Sequence, residues 1–346
     1  MAGSLLKLLK PGLIAAGAGL TALLLVSCGG GGGDDEDDTP AVLTGAQLLE
    51  QNKYSVVDIL TTTGYSGGGG TGVVWEESKY ILTNAHVVVG AGAIKIVDPD
   101  DGNRTYPARV VALSSCDDVA LLEVDRLTTL KPAKFGDSKK VGAGDTVTAL
   151  GFPATISSGP HTAIITNGNV SRVPATFEFT GQRDLIQNTA PINPGNSGGP
   201  LYNQKGEVIG LNSYAARGKQ GENYAIASNE AISVANKLKS GKNLDYVGLS
   251  LEQNDRDFAN EEDLAYIDGL VVTGVDPGSP ADKAKPGPFE FGFLIYEVNG
   301  TSVDTVGDFC DIIRSRKSGE TVRIRFGAWD ENDRPFNNFQ YDIVMP

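Results

Sequence analysis

From about Ala46 to Ala227 the chain is a succession of short apolar runs broken by Gly, Asn, Asp and Pro, and this regular interruption restricts the fold more than any other feature. The runs include Gly72–Trp75, Tyr80–Thr83, Ala93–Val97, Val119–Val124 and Thr146–Leu150. Each is too short for a helix that buries a face, and each has the length of a strand bounded by turn signals, the pattern of a sandwich or of barrels. Asp101-Gly102 reads as a hairpin turn, and 44 glycines in 346 residues supply many more tight turns. The period changes only near Asn229–Ser240. There Ile232, Ala235 and Leu238 recur at helical spacing after Ser228-Asn229-Glu230 and before Gly241, which marks a closing helix. Gly241-Lys242-Asn243 is the natural linker. The remainder, 244–346, alternates short strands with one helix, in which Val306, Phe309 and Ile313 share a face and Gly319 ends the run. The fold expected is mainly β: a large β unit over 45–240, then a smaller α+β domain.

The N-terminus reads as an export signal. Lys7 and Lys10 precede an apolar run from Leu13 to Val26, short for a membrane span but right for a signal-peptide core. Leu25-Val26-Ser27-Cys28 resembles the bacterial lipobox, which implies that 1–27 are removed and that Cys28 is lipidated, anchoring an extracytoplasmic lipoprotein to a membrane of the cell envelope. Gly29–Gly33 and Asp34–Asp38 follow as a low-complexity tether over 28–44 that cannot bury a core. The net charge of −14 and the lack of any Lys/Arg run argue against nucleic acid as a partner. With Cys28 assigned to lipid, Cys116 and Cys310 remain, one in each folded unit, and no structural disulfide is expected between them. Two histidines and no Cys/His cluster leave no zinc ligand set, and no cofactor is expected.

Chemistry concentrates in Pro194-Gly195-Asn196-Ser197-Gly198-Gly199-Pro200. A serine hydroxyl is a weak nucleophile that needs a base for its proton and donors for the oxyanion. Glycines beside Ser197 let the backbone turn tightly, so that the N–H groups of Gly195 and Ser197 can converge on one oxygen. The base is His86, at the end of the apolar run Tyr80–Thr83; His161, beside Ser157-Ser158-Gly159-Pro160, reads as a solvated loop residue. The orienting carboxylate is Asp118, which opens the apolar run Val119–Val124; Asp117 is its rival, and in an extended chain only one of two neighbours faces the imidazole. Gly195-x-Ser197-x-Gly199 also fits the nucleophile elbow of α/β-hydrolases, but these need a His after the Ser and none follows. Subtilisin-like order needs an Asp before the His, and Asp58 has no fitting context. The order His, Asp, Ser is that of chymotrypsin-like enzymes.

Thr83-Asn84-Ala85-His86-Val87-Val88, Asp118-Val119-Ala120-Leu121-Leu122, and Gln187 followed by Ile192–Leu201 resemble the three motif blocks of the HtrA/Deg family of extracytoplasmic serine proteases. The resemblance implies two six-stranded barrels with the triad in their cleft, cutting unfolded or damaged proteins through an acyl-enzyme. It also implies small aliphatic P1 residues, with Pro191, Tyr214 and Tyr224 around the specificity pocket. Thr189 stands where the family usually has Asp, and Pro191 where it has a small residue. Trimers are usual in that family.

Tyr246–Leu249, Gly269–Val272, Ser279-Pro280-Ala281, Val298-Asn299-Gly300 and the helix around Phe309 resemble a PDZ domain. Such a domain adds a peptide strand to its sheet edge and captures the terminal carboxylate, here near Val247, Gly248 and Leu249. Lys285–Phe293 departs from the compact turn usual there. Asp98–Asn103 is Asp-rich, but Arg109 at the twelfth position makes it a turn and not a calcium loop. Two other classes fit part of the pattern, a catalytically silent peptide-binding lipoprotein and a chaperone-like holdase with weak proteolysis. The complete set of Ser, His, Asp and oxyanion residues speaks against the first.

Overall fold

A computed structural model describes residues 42–62, 67–98, 102–125, 129–152, 161–176, 180–216, 219–261, 267–284, 287, 289–290, 292–329 and 335–346. Cys28, the leader, most of the tether and Asp101 lie outside them.

Six strands form a first closed barrel: β1 (Val56–Thr62), β2 (Gly67–Trp75), β3 (Tyr80–Thr83), β4 (Ala93–Asp98), β5 (Arg104–Ser114) and β6 (Val119–Val124), in the order β1-β2-β3-β6-β5-β4. β4 and β5 form the hairpin expected around Gly102, with Asp98 opposite Arg104. Val57, Ile59, Val74, Ile81, Ile96 and Leu122 are buried together in its core. At roughly 1.5–3 kcal/mol per fully buried large aliphatic side chain, this burial is what closes the barrel. A second closed barrel takes β7 (Thr146–Gly151), β8 (Ile164–Ala175), β9 (Leu185–Asn188), β10 (Pro200–Tyr202), β11 (Val208–Ala215) and β12 (Asn223–Ala227), in the order β10-β11-β12-β9-β8-β7.

Among the described residues three α-helices accompany the barrels: α1 (Gly45–Asn52), the single turn α2 (Ala85–Val88) and α3 (Ser228–Leu238). α3 places Ala231, Val234, Ala235 and Leu238 in one cluster with Leu121 of β6 and Leu211 of β11. It therefore fills the space between the barrels, which explains why every residue of β6 is buried although one face of a barrel strand points outward.

The C-terminal part is a sheet of β13 (Leu249–Gln253), β14 (Leu270–Val275), β15 (Leu294–Val298), β16 (Thr301–Ser302), β17 (Thr321–Trp329) and β18 (Pro335–Val344), with helices α4 (Arg256–Glu261) and α5 (Val306–Arg314). The order is β13-β14-β15-β17-β18, with β16 beside β15. A capping box starts α5: Thr305 accepts from the Asp308 N–H while the Asp308 carboxylate accepts from the Thr305 N–H. The helix stops at Arg314, before the Gly319 signal, because Ser315 and Arg316 already close its last turn onto Ile312 and Ile313.

One expectation is overturned. Cys116 and Cys310 form a disulfide, with Cα atoms 5.6 Å apart across 194 positions of sequence. Assigning the two cysteines to different units said nothing about distance, and the C-terminal unit packs against the first barrel at this point. Arg314, one turn beyond Cys310, donates to Asp117 at 2.6 Å and to Asp245 at 3.3 Å, so an ion pair runs beside the covalent link. Closing so long a loop constrains the unfolded chain strongly. The double variant Cys116→Ser/Cys310→Ser should lose about 2–5 kcal/mol of unfolding free energy. Urea titration should show the fall, and the wild type under reducing conditions should unfold at the variant's midpoint.

Candidate active site

The apolar strand β3 ends at Thr83, Asn84 stands at the N-cap position of α2 without a side-chain capping bond, and His86 is the second residue of that single turn. Its placement is fixed from two directions. The His86 backbone N–H donates to Asp118 Oδ1 at 3.0 Å, and the ring Nδ1 lies 3.0 Å from both carboxylate oxygens. Asp118 sits in the tight turn between β5 and β6 with a left-handed φ of +54°, a conformation costly for a non-glycine residue unless neighbours hold it. The Asn84 side-chain amide does so by donating to the Asp118 carbonyl at 3.0 Å.

The same carboxylate accepts from Ser213 Oγ at 2.8 Å and from Gln182 Nε2 at 2.9 Å, and Gln182 Nε2 also reaches Ser213 Oγ at 2.6 Å. Neither Gln182 nor Ser213 was named from the sequence. Ser213 follows the apolar run of β11 two residues beyond its last large aliphatic, which is a usable signal; Gln182 offers none. Asp117 turns elsewhere, accepting from Ser114 Oγ at 2.8 Å and from Arg314. The two neighbours diverge because the turn is left-handed at Asp118, and not through the alternation of an extended strand.

The imidazole is 41% exposed at the mouth of a cavity. Burial opposes its protonation, but the charge and hydrogen bond of Asp118, with the charge of Glu252, more than offset this and raise the His86 pKa above its ordinary 6.5.

Ser197 lies on the loop between β9 and β10, which the barrels pin in several places. Thr71 of β2 donates its N–H to the Ser197 carbonyl at 2.8 Å and its hydroxyl to the Gly195 carbonyl at 2.7 Å. The Gly198 N–H donates to the Asn212 carbonyl at 2.7 Å. Gly198 has φ +80°, and a Cβ there would stand 2.1 Å from Thr83 Oγ1 and 2.3 Å from the Thr71 carbonyl, so no other residue fits. Among the described residues the N–H groups of Gly195 and Ser197 make no hydrogen bond within the protein. The Ser197 hydroxyl donates to the Ser213 carbonyl at 3.3 Å. His86, Asp118 and Ser197 all line one cavity of about 380 Å³.

Tyr214 is on the wall of this cavity, together with Ile192 and Asn193. Tyr224 is instead 5% exposed and packs in the core around α3, and the Pro191 carbonyl accepts from Thr166 Oγ1 at 2.8 Å. Thr189 likewise turns to β8, accepting from the Asn169 N–H at 2.9 Å. Val247 and Leu249 line the cavity. The carbonyls of Val247 and Gly248 are held by the N–H groups of Ala281 and Asp276. His161 corrects its expectation: it is not simply solvated, because its Nδ1 hydrogen-bonds the buried Asp58 carboxylate of β1. Burial raises the Asp58 pKa, and the hydrogen bond and charge of His161 oppose that rise.

Residues 70–211 match the trypsin-like peptidase domain. The chain is 34% identical over 258 residues to a probable periplasmic serine endoprotease DegP-like of Marinomonas sp. (strain MWYL1), covering 73% of this chain and 53% of that protein. It is 33% identical over 279 residues to the serine protease Do-like HtrA of Bacillus subtilis (strain 168), covering 75% and 60%. The two-barrel unit is a trypsin-like serine protease domain of the HtrA/DegP family. The solved HtrA-type protease AlgW with tripeptide is 25% identical, covers 86% of this chain and 95% of its own, and superposes with a TM-score of 0.52. A serine endoprotease from Yersinia pestis is also 25% identical, with a TM-score of 0.51 over 87% of this chain and 97% of its own. The chain spans between half and two thirds of the length of the two curated HtrA/DegP relatives. The double barrel expected from the motif blocks is therefore that of an HtrA/DegP protease domain.

Proposed function

We propose that this protein is an extracytoplasmic serine endopeptidase in which His86 is the general base, Asp118 its orienting carboxylate and Ser197 the nucleophile. The observation that carries the reading is the Asp118 carboxylate, held by three other donors and set against His86 Nδ1 on the wall of the cavity that Ser197 shares. With Nδ1–H donating to Asp118, the opposite nitrogen is a free acceptor for the serine proton. Among the described residues Ser197 Oγ donates to the Ser213 carbonyl and makes no hydrogen bond to His86; catalysis requires it to turn to that acceptor in the substrate complex, where catalytic hydrogen bonds tighten. The unengaged N–H groups of Gly195 and Ser197 receive the oxyanion. Collapse of the tetrahedral adduct leaves an acyl-Ser197, the protonated His86 gives its proton to the departing amine, and water then completes hydrolysis.

Unfolded or damaged proteins are the proposed substrates, and the periplasmic names of the relatives support an extracytoplasmic setting for them. The C-terminal unit is proposed to be a PDZ domain that takes peptide C-termini at the Val247–Leu249 loop. Anchoring through a lipid on Cys28 and trimer formation belong to the same proposal.

The titration of His86 tests it. Imidazolium cannot accept the Ser197 proton, and the His86 pKa stands above 6.5, so kcat/KM for unfolded β-casein should fall about tenfold per pH unit below a midpoint above that value. A profile flat between about pH 8 and pH 5 would remove His86 as the base.

A further inference from the structure

Gln182 stands on the connection between β8 and β9 of the second barrel, yet its side-chain amide ends at a carboxylate of the first. Nε2 donates to Asp118 Oδ2 at 2.9 Å and to Ser213 Oγ at 2.6 Å, so both of its N–H groups are committed. The opposite orientation would set the amide oxygen against the carboxylate. Among the described residues Gln182 Oε1 is buried and accepts no hydrogen bond. A buried amide oxygen without a donor is costly, and the use made of the nitrogen end offsets that cost.

The amide also aims a second group. A hydroxyl carries one proton, and because Ser213 Oγ accepts from Gln182, its own proton is directed to Asp118 Oδ2 at 2.8 Å. Gln182 thus holds the carboxylate once directly and once through Ser213. The Ser213 carbonyl in turn accepts from the Ser197 hydroxyl at 3.3 Å, so the residue that Gln182 orients touches both the carboxylate and the nucleophile.

The Cys116–Cys310 disulfide seats this amide. Gly181 is buried, and a Cβ there would stand 2.6 Å from Cys310 Sγ, 2.7 Å from Cys310 Cβ and 3.0 Å from the Cys116 carbonyl. The backbone before Gln182 therefore rests on the disulfide itself. Cys116 precedes Asp118 by two residues, so one covalent link braces the donor on one side and the acceptor on the other. The ion pair of Asp117 with Arg314 at 2.6 Å holds the same turn.

We propose that Gln182 is a positioning residue for the triad: its amide, seated by the Cys116–Cys310 disulfide, holds the Asp118 carboxylate and the Ser213 hydroxyl in the arrangement that sets Asp118 against His86 Nδ1. This rests on the peptidase reading above and adds to it a residue and a covalent support that lie outside the three motif blocks. Without the amide, Ser213 loses the donor that aims its proton and the carboxylate keeps fewer holds. The imidazole then spends less time in the orientation that takes the serine proton, and the loss falls on the chemical step rather than on substrate binding.

The test compares the full chain with Gln182→Met, which keeps the reach of the side chain and removes its donor. With both proteins folded by circular dichroism, kcat for β-casein cleavage should fall about tenfold while KM stays within about twofold, and modification of Ser197 by a fluorophosphonate should slow by the same factor. The chain has two histidines, and each sets Nδ1 against a carboxylate, so His161 serves as an internal control. In spectra of isotope-labelled histidine the Nδ1–H resonance of His86 should shift in Gln182→Met while that of His161 stays. Removing the disulfide in Cys116→Ser/Cys310→Ser should also lower kcat about tenfold, and adding Gln182→Met to it should cost no more than about twofold further, because both changes undo one hold. Wild-type rates in Gln182→Met, a loss carried by KM alone, or an unmoved His86 resonance overturns the proposal and leaves the peptidase reading intact. Losses that multiply in the triple variant overturn the seating by the disulfide. No modification of Ser197 in the wild type removes the peptidase reading, and this proposal with it.

Discussion

Ser197→Ala should lower kcat for peptide-bond hydrolysis by about 10⁶-fold, close to the loss seen whenever the nucleophile is removed from a unit of this type. The reason is local. The Ser197 carbonyl and the flanking glycines hold the loop against Thr71 and Asn212, and none of these contacts uses the hydroxyl. The variant should therefore keep its fold, its urea midpoint and its affinity for unfolded chains while losing covalent chemistry. Residual turnover would come from the oxyanion donors and binding alone. Steady-state cleavage of β-casein by the two proteins, with intact circular dichroism for both, measures this directly. A loss below about a hundredfold would mean that Ser197 is not the nucleophile. If the variant still suppresses aggregation of an unfolded client, that behaviour belongs to the cleft and not to catalysis.

Asp118→Asn should lower kcat by about 10⁴-fold with little change in structure. The carboxylate accepts from the His86 backbone N–H, His86 Nδ1, Gln182 and Ser213, so it has acceptors and no donor to offer the ring. A carboxamide presents an N–H, and one that faces Nδ1 imposes the tautomer protonated at the opposite nitrogen, which can no longer take the serine proton. The companion variant Asp117→Asn should leave the catalytic rate within a few-fold, since Asp117 faces Arg314 and Ser114. Its cost is to the ion pair between the first barrel and α5. Cleavage rates for the two asparagine variants, measured side by side, distinguish the neighbouring carboxylates; equal losses would contradict the assignment of Asp118.

Much of this was legible in the sequence because strands and nucleophile loops are local. The apolar runs gave strands where runs such as Tyr80–Thr83 and Val119–Val124 stand, and the glycine at 198 is forced by atoms that touch it. The order of His86, Asp118 and Ser197 restricted the fold because it is a global statement written in chain order. What stayed hidden depends on packing between distant segments. Cys116 and Cys310 are bonded although nothing in their local sequence relates them. Gln182 reaches Asp118 from the other barrel, His161 reaches Asp58, and Glu252 stands near His86, and each of these meetings is set by how whole units dock. The setting of Tyr224 is of the same kind: every residue of β12 is buried, and the core cluster around α3 takes its ring.

The central claim is that Ser197 is a nucleophile activated by His86 and Asp118. Mass spectrometry of the full chain treated with a biotinylated fluorophosphonate, followed by peptide mapping, tests it most directly. The account predicts a single adduct on the peptide containing Ser197, formed much more slowly by Asp118→Asn and absent from Ser197→Ala. Labelling that is missing from the folded wild type, or that persists in Ser197→Ala, would contradict it.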